Sequence, residues 1–170
     1  MSKNTEKLDR CSYRKAIYSG TFDPITKGHL DIIKRAAMIF DEVIIAVAKS
    51  ERKGPMFSHE DRVKFAQAAT ASIENVRVEG FDTLLVDFAT EQNINTIIRG
   101  LRAVSDFDFE FQAALMNRKL DDSVETVFIM TRGKYCYLSS SVVKEVASLG
   151  GDLDGLIPEN VKVKLVEKFK

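Results

Sequence analysis

The clearest chemical signal in this sequence is a histidine that follows a glycine at the start of a predicted helix. Gly28 and His29 come shortly after a tight loop at Gly20, and Thr26 is placed to cap the helix. The first turn of a helix offers unpaired backbone N–H groups and the positive end of the helix dipole, and both favour an anion. We therefore predict a phosphate site between strand and helix, with the imidazole of His29 directed into it.

Two arginines flank a glycine later in the chain, in the segment from Arg99 through Gly100 to Arg102. Each guanidinium carries a permanent charge and a planar set of donors that suits phosphate oxygens, and the glycine allows close approach of the backbone. The pair is therefore predicted to bind two phosphate groups or both ends of one polyphosphate. A pair of solvated surface arginines is the alternative.

Three serines stand at the start of another predicted helix, at Ser139, Ser140 and Ser141. Their hydroxyl and backbone N–H groups are suited to an anion, and simple capping by one serine is the alternative. Lys53 and Glu110 are weaker candidates by themselves, since most loop lysines and helix glutamates are solvated.

These candidate residues lie near the ends of predicted strands. Apolar runs predict five strands, at residues 16–18, 42–48, 76–80, 96–98 and 126–130. Helices are predicted at residues 26–40, 58–72, 82–93, 105–120 and 142–149, with a last one after Pro158. Because strands that alternate with helices form a parallel sheet, which binds ligands beyond the carboxyl ends of its strands, the candidates should share one edge. The predicted fold is one α/β domain, Rossmann-like, with a doubly wound sheet of five parallel strands.

Two further expectations concern burial. The helix that starts at Ser105 is predicted to bury an apolar stripe made of Phe107, Phe111, Ala114 and Leu115. His59 stands in the first turn of a helix that carries no other motif, so it is predicted to lie at the surface.

Composition narrows the classes of partner. The 170 residues include 25 Lys and Arg and 25 Asp and Glu, so no global field favours nucleic acid or an anionic membrane. Cys11 and Cys136 are far apart and have no CxxC partner, so neither a metal site nor a disulfide framework is predicted. Without a signal-peptide apolar region or a membrane span, a cytoplasmic protein is expected, with residues 1–13 as a flexible extension before a domain at 14–170.

The loop before His29 lacks the GxGxxG and GK(S/T) patterns of dinucleotide-binding and Walker loops. The runs GTFDP, which starts at Gly20, and TKGH, which ends at His29, instead resemble the (H/T)xGH signature of the nucleotidyltransferase superfamily. That resemblance implies transfer of a nucleoside monophosphate to an acceptor, with release of pyrophosphate.

Four ordered motifs, at residues 18–29, 53–57, 97–110 and 139–146, narrow the resemblance to the phosphopantetheine adenylyltransferase family. The resemblance implies transfer of AMP from Mg-ATP to 4′-phosphopantetheine, which gives dephospho-coenzyme A and pyrophosphate in the penultimate step of coenzyme A biosynthesis. It also implies Mg²⁺ as the cofactor that arrives with ATP, and a homo-hexamer. The sequence departs from the family at Ser19, where proline is frequent, and in the loop from Thr131 to Tyr137.

The resemblance also implies roles for single residues. His29 corresponds to the transition-state stabiliser, and Lys53 and Arg99 share the catalytic assignment with it. Contacts to phosphopantetheine are implied for Thr21, Lys53, Leu85 and Arg99. Contacts to ATP are implied for Thr21, Phe22, His29, Gly100, Leu101, Arg102, Glu110, Tyr135, Cys136, Tyr137, Leu138, Ser139, Ser140 and Ser141.

The implied reaction needs no general base, because the acceptor is a phosphate monoester that is anionic at neutral pH. Lys53 and Arg99 are expected to hold the acceptor phosphate. His29, Thr21, the serines and Mg²⁺ are expected to stabilise the phosphoryl groups of ATP. Because the start of a helix disfavours a positive charge, His29 is expected to act as a neutral imidazole donor.

Two rival functions remain open at this point. Another nucleotidyltransferase of the superfamily would add CMP to glycerol 3-phosphate or AMP to nicotinamide mononucleotide. The cytidylyl branch carries an RTxGISTT-like motif where this chain has LSSSVVKEV at residues 138–146, which argues against it. The second rival is an ATP-binding module with the same fold and no turnover. Such a module would not need residues for an acceptor phosphate.

Overall fold

Five parallel strands form the centre of the molecule. The structure is a computed structural model that describes residues 13–51 and 54–169, so Lys53 and residues 1–12 of the predicted extension lie outside the described residues. The strands are β1 (Lys15–Gly20), β2 (Glu42–Ala48), β3 (Val76–Phe81), β4 (Thr96–Leu101) and β5 (Glu125–Met130). The helices are α1 (Lys27–Ile39), α2 (His59–Thr70), α3 (Leu85–Glu91), α4 (Val104–Leu120), α5 (Ser140–Ser148) and α6 (Glu159–Glu167), with a short 3-10 helix at Gly133–Tyr135.

The inner strands are apolar on both faces because helices cover both sides of the sheet. In β2, every residue from Val43 to Val47 is buried, as the unbroken apolar run predicted. In β1, Tyr18 faces the cluster formed with α1, α2, α5 and α6, whereas its neighbour Ile17 faces the cluster formed with α3. No described helix is both long enough and apolar enough to cross a membrane.

The order of the strands reverses next to β1. The sheet runs β3-β2-β1-β4-β5, and all its pairings are parallel. In such a sheet the connections after β1 and β4 leave in opposite directions, which opens a crevice beyond the carboxyl ends of these two strands. The predicted Rossmann-like fold is confirmed, and the reversal places the ligand crevice between β1 and β4.

Several predicted boundaries were wrong, among them that of α3, which was predicted at 82–93 and runs from Leu85 to Glu91. β4 continues to Leu101, so Arg99 and Gly100 lie within a strand and not in a loop, because β5 pairs with β4 along its whole length. Helix α4 begins at Val104, one residue before the predicted start at Ser105. The arginine segment is therefore held more rigidly than a loop would be.

The predicted burial of the apolar stripe on α4 was also wrong. Phe107, Phe111 and Leu115 are exposed, and Ala114 is half-buried. Phe107 stacks on Phe111 with ring centroids 5.4 Å apart, and no described part of the chain covers the outer face of the helix. Because α4 carries apolar residues around its whole circumference, spacing did not indicate which face meets the sheet.

His59 was predicted to lie at the surface, but it is half-buried and its ring packs inside the structure. Its ring Nε2 lies 2.9 Å from the carbonyl oxygen of Val47, which can only accept, so Nε2 donates. The ring occupies the space that a side chain at position 80 would need. A Cβ added at Gly80 would stand only 2.5 Å from the His59 ring.

One buried cation fastens the loops at the carboxyl edge of the sheet. Arg62 on α2 is fully buried, and its guanidinium donates to four backbone carbonyl groups at 2.7 to 3.2 Å. The acceptors belong to Thr21, Ala48, Lys49 and Phe57. Thr21 follows β1, Ala48 and Lys49 lie at the end of β2, and Phe57 precedes α2, so one side chain joins the loops on one side of the crevice.

Replacing Arg62 with methionine should lower the free energy of unfolding by about 3 kcal/mol or more, because buried carbonyl groups lose their donor. Urea unfolding at pH 7 measures the change. Arg77→Met is the control, since Arg77 pairs with Glu42 while partly exposed, and a loss below about 1 kcal/mol is expected. Equally small losses for both variants would contradict the role of Arg62.

Candidate active site

Two adjoining cavities open where the strand order reverses. Their volumes are about 530 Å³ and 230 Å³. Arg99 lines the larger cavity and Arg102 lines the smaller one. Four residues line both cavities and so mark their junction: Tyr18, His29, Gly100 and Ser140. The site therefore consists of two chambers, with an arginine in each, that meet beside His29.

Thr26 and His29 cap the start of α1 reciprocally. The Thr26 hydroxyl accepts from the backbone N–H of His29 at 3.3 Å, and the Thr26 backbone N–H donates to His29 Nδ1 at 3.0 Å. Because Nδ1 is an acceptor, the neutral ring carries its proton on Nε2. The ring therefore presents an Nε2–H donor at the junction of the two cavities.

The imidazole is neutral over the whole physiological range. Burial of the ring, followed by the charges of Arg102 and Arg99, lowers the pKa of His29 from 6.5 to about 4. The expected neutral state agrees with the structure, although the cause inferred from the sequence was the start of the helix. A neutral ring acts on an anion through a directed hydrogen bond and not through net charge.

Arg99 is held from two sides. Its guanidinium makes paired bonds to Glu110, with Nε–Oε2 at 2.5 Å and Nη2–Oε1 at 2.9 Å. Its Nη1 donates to the carbonyl oxygen of Ser19 at 2.9 Å and to the Ser19 hydroxyl at 3.1 Å. The serine that stands where the family often has proline therefore supplies an additional acceptor. Bidentate pairing of this kind fixes the plane of a guanidinium before a ligand arrives.

Arg102 is fixed in a similar way beside the smaller cavity. Its guanidinium pairs with Asp106 through bonds of 2.9 and 3.1 Å. A further bond of 3.3 Å runs from Nη1 to the carbonyl oxygen of Leu138. That bond brings the start of α5, where the serines lie, next to the end of β4.

Asp23 joins the loop after β1 to the residues before α2 and to α5, and no role was predicted for it from the sequence. Its carboxylate accepts from the backbone N–H groups of Met56 at 2.9 Å and Phe57 at 3.0 Å, and from the ammonium of Lys144 at 2.7 Å. Burial alone would raise the pKa of Asp23, but Lys144 and the two backbone donors outweigh it and lower the pKa. Asp23 and Lys144 both lie inside the sequence motifs, and their opposite charges were the signal that could have predicted this ion pair.

The segment after β5 is fastened to α1. The backbone N–H of Arg132 donates to Asp31 at 3.2 Å, and the Arg132 guanidinium lies 3.3 Å from the same carboxylate. Tyr135 packs at the start of α1, with its Cβ 3.7 Å from the position that a Cβ at Gly28 would take. These contacts place the segment beside the smaller cavity.

Most of the predicted contact residues line the cavities. Those that do are Thr21, Phe22, His29, Arg99, Gly100, Arg102, Leu138, Ser139, Ser140 and Ser141. Those that do not are Leu85, Leu101, Glu110, Tyr135, Cys136 and Tyr137. Glu110 acts on the site through Arg99, and Leu85 packs into the core instead. Residues that line a cavity without having been predicted include Tyr18, Asp23, Ser50, Phe81, Thr131 and Lys144.

Comparison with known proteins agrees with this architecture. Residues 17–146 match a family model described as cytidylyltransferase-like. A phosphopantetheine adenylyltransferase of Solidesulfovibrio magneticus is 54% identical over 154 residues, which cover 91% of this chain and 90% of that protein. One of Caldanaerobacter subterraneus subsp. tengcongensis is 54% identical over 157 residues, which cover 92% and 98%. A solved Vibrio parahaemolyticus protein, provisionally named nicotinate-nucleotide adenylyltransferase, shares the fold with a TM-score of 0.69 and 18% identity over 92% of this chain and 93% of that one.

The titration of His29 tests this geometry directly. In a nitrogen-15 NMR titration, His29 should keep the signature of the neutral Nε2–H form from pH 8 to about pH 5 and become protonated near pH 4. In the unfolded chain, His29 takes up a proton near pH 6.5, whereas in the fold it does so only near pH 4. The contribution of His29 to the free energy of unfolding is therefore fully present above pH 6.5 and is lost as the pH falls towards 4. The chain has only two histidines, so a His29→Ala spectrum assigns the signals. A midpoint near 6.5, or a proton on Nδ1, would contradict the geometry.

Proposed function

Because this chain belongs to the phosphopantetheine adenylyltransferase family, within the cytidylyltransferase-like proteins, we propose that it transfers the adenylyl group of ATP to 4′-phosphopantetheine. The products are dephospho-coenzyme A and pyrophosphate, and the reaction is the penultimate step of coenzyme A biosynthesis. The geometry of the site supports this proposal through one observation. Two chambers, each with a pre-positioned arginine, meet at a neutral histidine.

The acceptor is assigned to the Arg99 side and the nucleotide to the Arg102 side. Arg99 binds the phosphate of phosphopantetheine, together with Lys53. Gly100, Arg102 and the serines at the start of α5 bind the phosphates of ATP. Glu110 is reassigned from an ATP contact to a positioning residue, because its carboxylate holds the Arg99 guanidinium through two bonds.

The chemical step is a direct in-line displacement. A phosphate oxygen of the acceptor forms a bond to the α-phosphorus of ATP, while the bond from that phosphorus to the α,β-bridging oxygen breaks. Pyrophosphate leaves with the electron pair, and no covalent intermediate with the protein forms. His29 Nε2–H donates to the α-phosphoryl group, whose charge it stabilises most strongly in the transition state.

Magnesium is proposed to arrive with ATP. Of the described residues that line the two cavities, Asp23 supplies the only carboxylate, and its oxygens already accept from Met56, Phe57 and Lys144. No cluster of three or more His, Cys, Asp or Glu in the described part of the chain is suited to a metal ion. A metal held by phosphate oxygens and water fits this lining, and when bound it offsets the charge of the polyphosphate. We place the reaction in the cytoplasm.

A homo-hexamer is proposed as the assembly. Helix α4 and strand β5 together expose many large apolar side chains, and we call this set the α4–β5 face: Phe107, Phe109, Phe111, Leu115, Met116, Leu120, Val127 and Met130. β5 is also an edge strand of the sheet. A patch of this kind is typical of an interaction surface, and further copies of the chain would cover it.

The proposed reaction is tested by mass detection of dephospho-coenzyme A formed from Mg-ATP and phosphopantetheine. His29→Ala should lower kcat by roughly 100-fold or more, the usual loss for one preorganised donor, with little change in ATP affinity. His59→Gln is the matched control and should keep kcat near that of the wild type. An unchanged kcat in His29→Ala would remove His29 from the mechanism.

A substrate panel with pyrophosphate release as readout separates the rivals. Turnover with CTP and glycerol 3-phosphate, or with ATP and nicotinamide mononucleotide, but not with ATP and phosphopantetheine, would replace the proposed substrates. If the protein binds ATP but releases no pyrophosphate with any acceptor of the panel, the result would favour a non-catalytic module.

The assembly is tested by light scattering. Six chains of 19.1 kDa give a particle of about 115 kDa. The double variant Phe109→Glu with Leu115→Glu should form smaller particles, because it places charge on the α4–β5 face. Leu149→Glu, at an exposed position beyond α5, should leave the particle unchanged. A monomeric wild type would contradict the proposed assembly.

A further inference from the structure

Tyr18 is a buried residue whose hydroxyl has no hydrogen-bond partner in the described part of the protein. Tyr18 is only 5% exposed, and its ring packs edge-on against Phe22 with centroids 5.5 Å apart. No hydrogen bond joins its hydroxyl to another described residue. Every fully enclosed side-chain polar atom of a described residue does have a partner, so this hydroxyl opens into the cavities that its residue lines.

The position of this hydroxyl coincides with the junction of the two cavities. Tyr18 is one of the four residues that line both chambers. Its oxygen lies 3.4 Å from the position that a Cβ at Gly100 would take, so the glycine leaves the hydroxyl uncovered on that side. The ring centroid lies 6.5 Å from that of His29. Two donor groups, one from β1 and one from α1, therefore stand beside the same point.

The surroundings favour an anionic acceptor for this hydroxyl. Arg99 lies in β4, the strand next to Tyr18, and Arg102 directly follows this strand. The positive charges of both arginines and the negative charge of Glu110 act on the phenol of Tyr18. Burial raises the pKa of Tyr18, so the group remains an O–H donor and is not a general base. A phosphoryl oxygen can only accept hydrogen bonds, which matches a hydroxyl that has no acceptor within the protein.

We propose that the Tyr18 hydroxyl is a catalytic donor, which hydrogen-bonds a phosphoryl oxygen of the nucleotide at the point where the two cavities meet. This inference rests on the proposed adenylyl transfer and adds a second directed donor beside His29. The two donors differ in origin, since Tyr18 is fixed by strand pairing and His29 by the cap of α1. Preorganised donors of this kind stabilise charge that develops during transfer.

The variant Tyr18→Phe removes the hydroxyl and keeps the ring. Because the hydroxyl has no partner among the described residues, the urea midpoint of unfolding should stay at the wild-type value. The kcat for dephospho-coenzyme A formation should fall about tenfold, as expected for one neutral donor. ATP affinity, measured by calorimetry without an acceptor, should fall about threefold, the loss expected for one weak hydrogen bond to the nucleotide. Tyr13→Phe, at an exposed tyrosine remote from the cavities, is the matched control and should change neither quantity.

The outcomes separate this inference from the proposed function. A tenfold loss of kcat at an unchanged unfolding midpoint supports the donor role. A kcat and an ATP affinity both within twofold of the wild type overturn it. A matching drop in the unfolding midpoint also overturns it, because the hydroxyl would then be structural. If the wild type forms no dephospho-coenzyme A, the proposed function fails, and the calorimetric comparison then decides: weaker ATP binding by Tyr18→Phe supports the contact, and equal binding rejects it.

Discussion

The reversal of strand order between β1 and β4 is the constraint on which the whole site depends. Since the connections after these strands leave in opposite directions, a crevice forms at their carboxyl ends without weakening the core below. His29 stands on one side of this crevice at the start of α1, and Arg99 and Arg102 stand on the other side along and after β4. Gly100 keeps the space between them open.

Fixed charge makes this crevice suited to joining two anions. Ligands that both carry phosphate repel one another, and guanidinium groups held in advance offset that repulsion with little reorganisation. Glu110 and Asp106 hold the two arginines in place. Burial of the ring, followed by the same positive charges, keeps His29 neutral, so the arginines supply charge while the histidine supplies direction. Burial of Arg62 and Asp23 costs desolvation, and their dense sets of backbone partners offset that cost.

The sequence predicted those features that local chemistry dictates. Thr26 caps α1 because a threonine before a helix has that preference, and β2 is buried because its apolar run is unbroken. Contacts between distant segments carried no local signal. Arg62 is an ordinary helix arginine in the sequence, and only the fold brings four carbonyl groups around it. The outer face of α4 was misassigned because apolar spacing does not say whether the chain itself covers a helix.

A crystal structure of the protein with bound dephospho-coenzyme A tests the central claim most directly. This product carries both halves of the reaction in one molecule, so its phosphodiester marks where the two ligands meet. The account predicts that the diester lies at the junction of the two cavities. It also predicts His29 Nε2 within hydrogen-bond distance of a phosphoryl oxygen that was the α-phosphoryl of ATP. A diester bound elsewhere on the sheet edge, with His29 facing only protein or water, would contradict it.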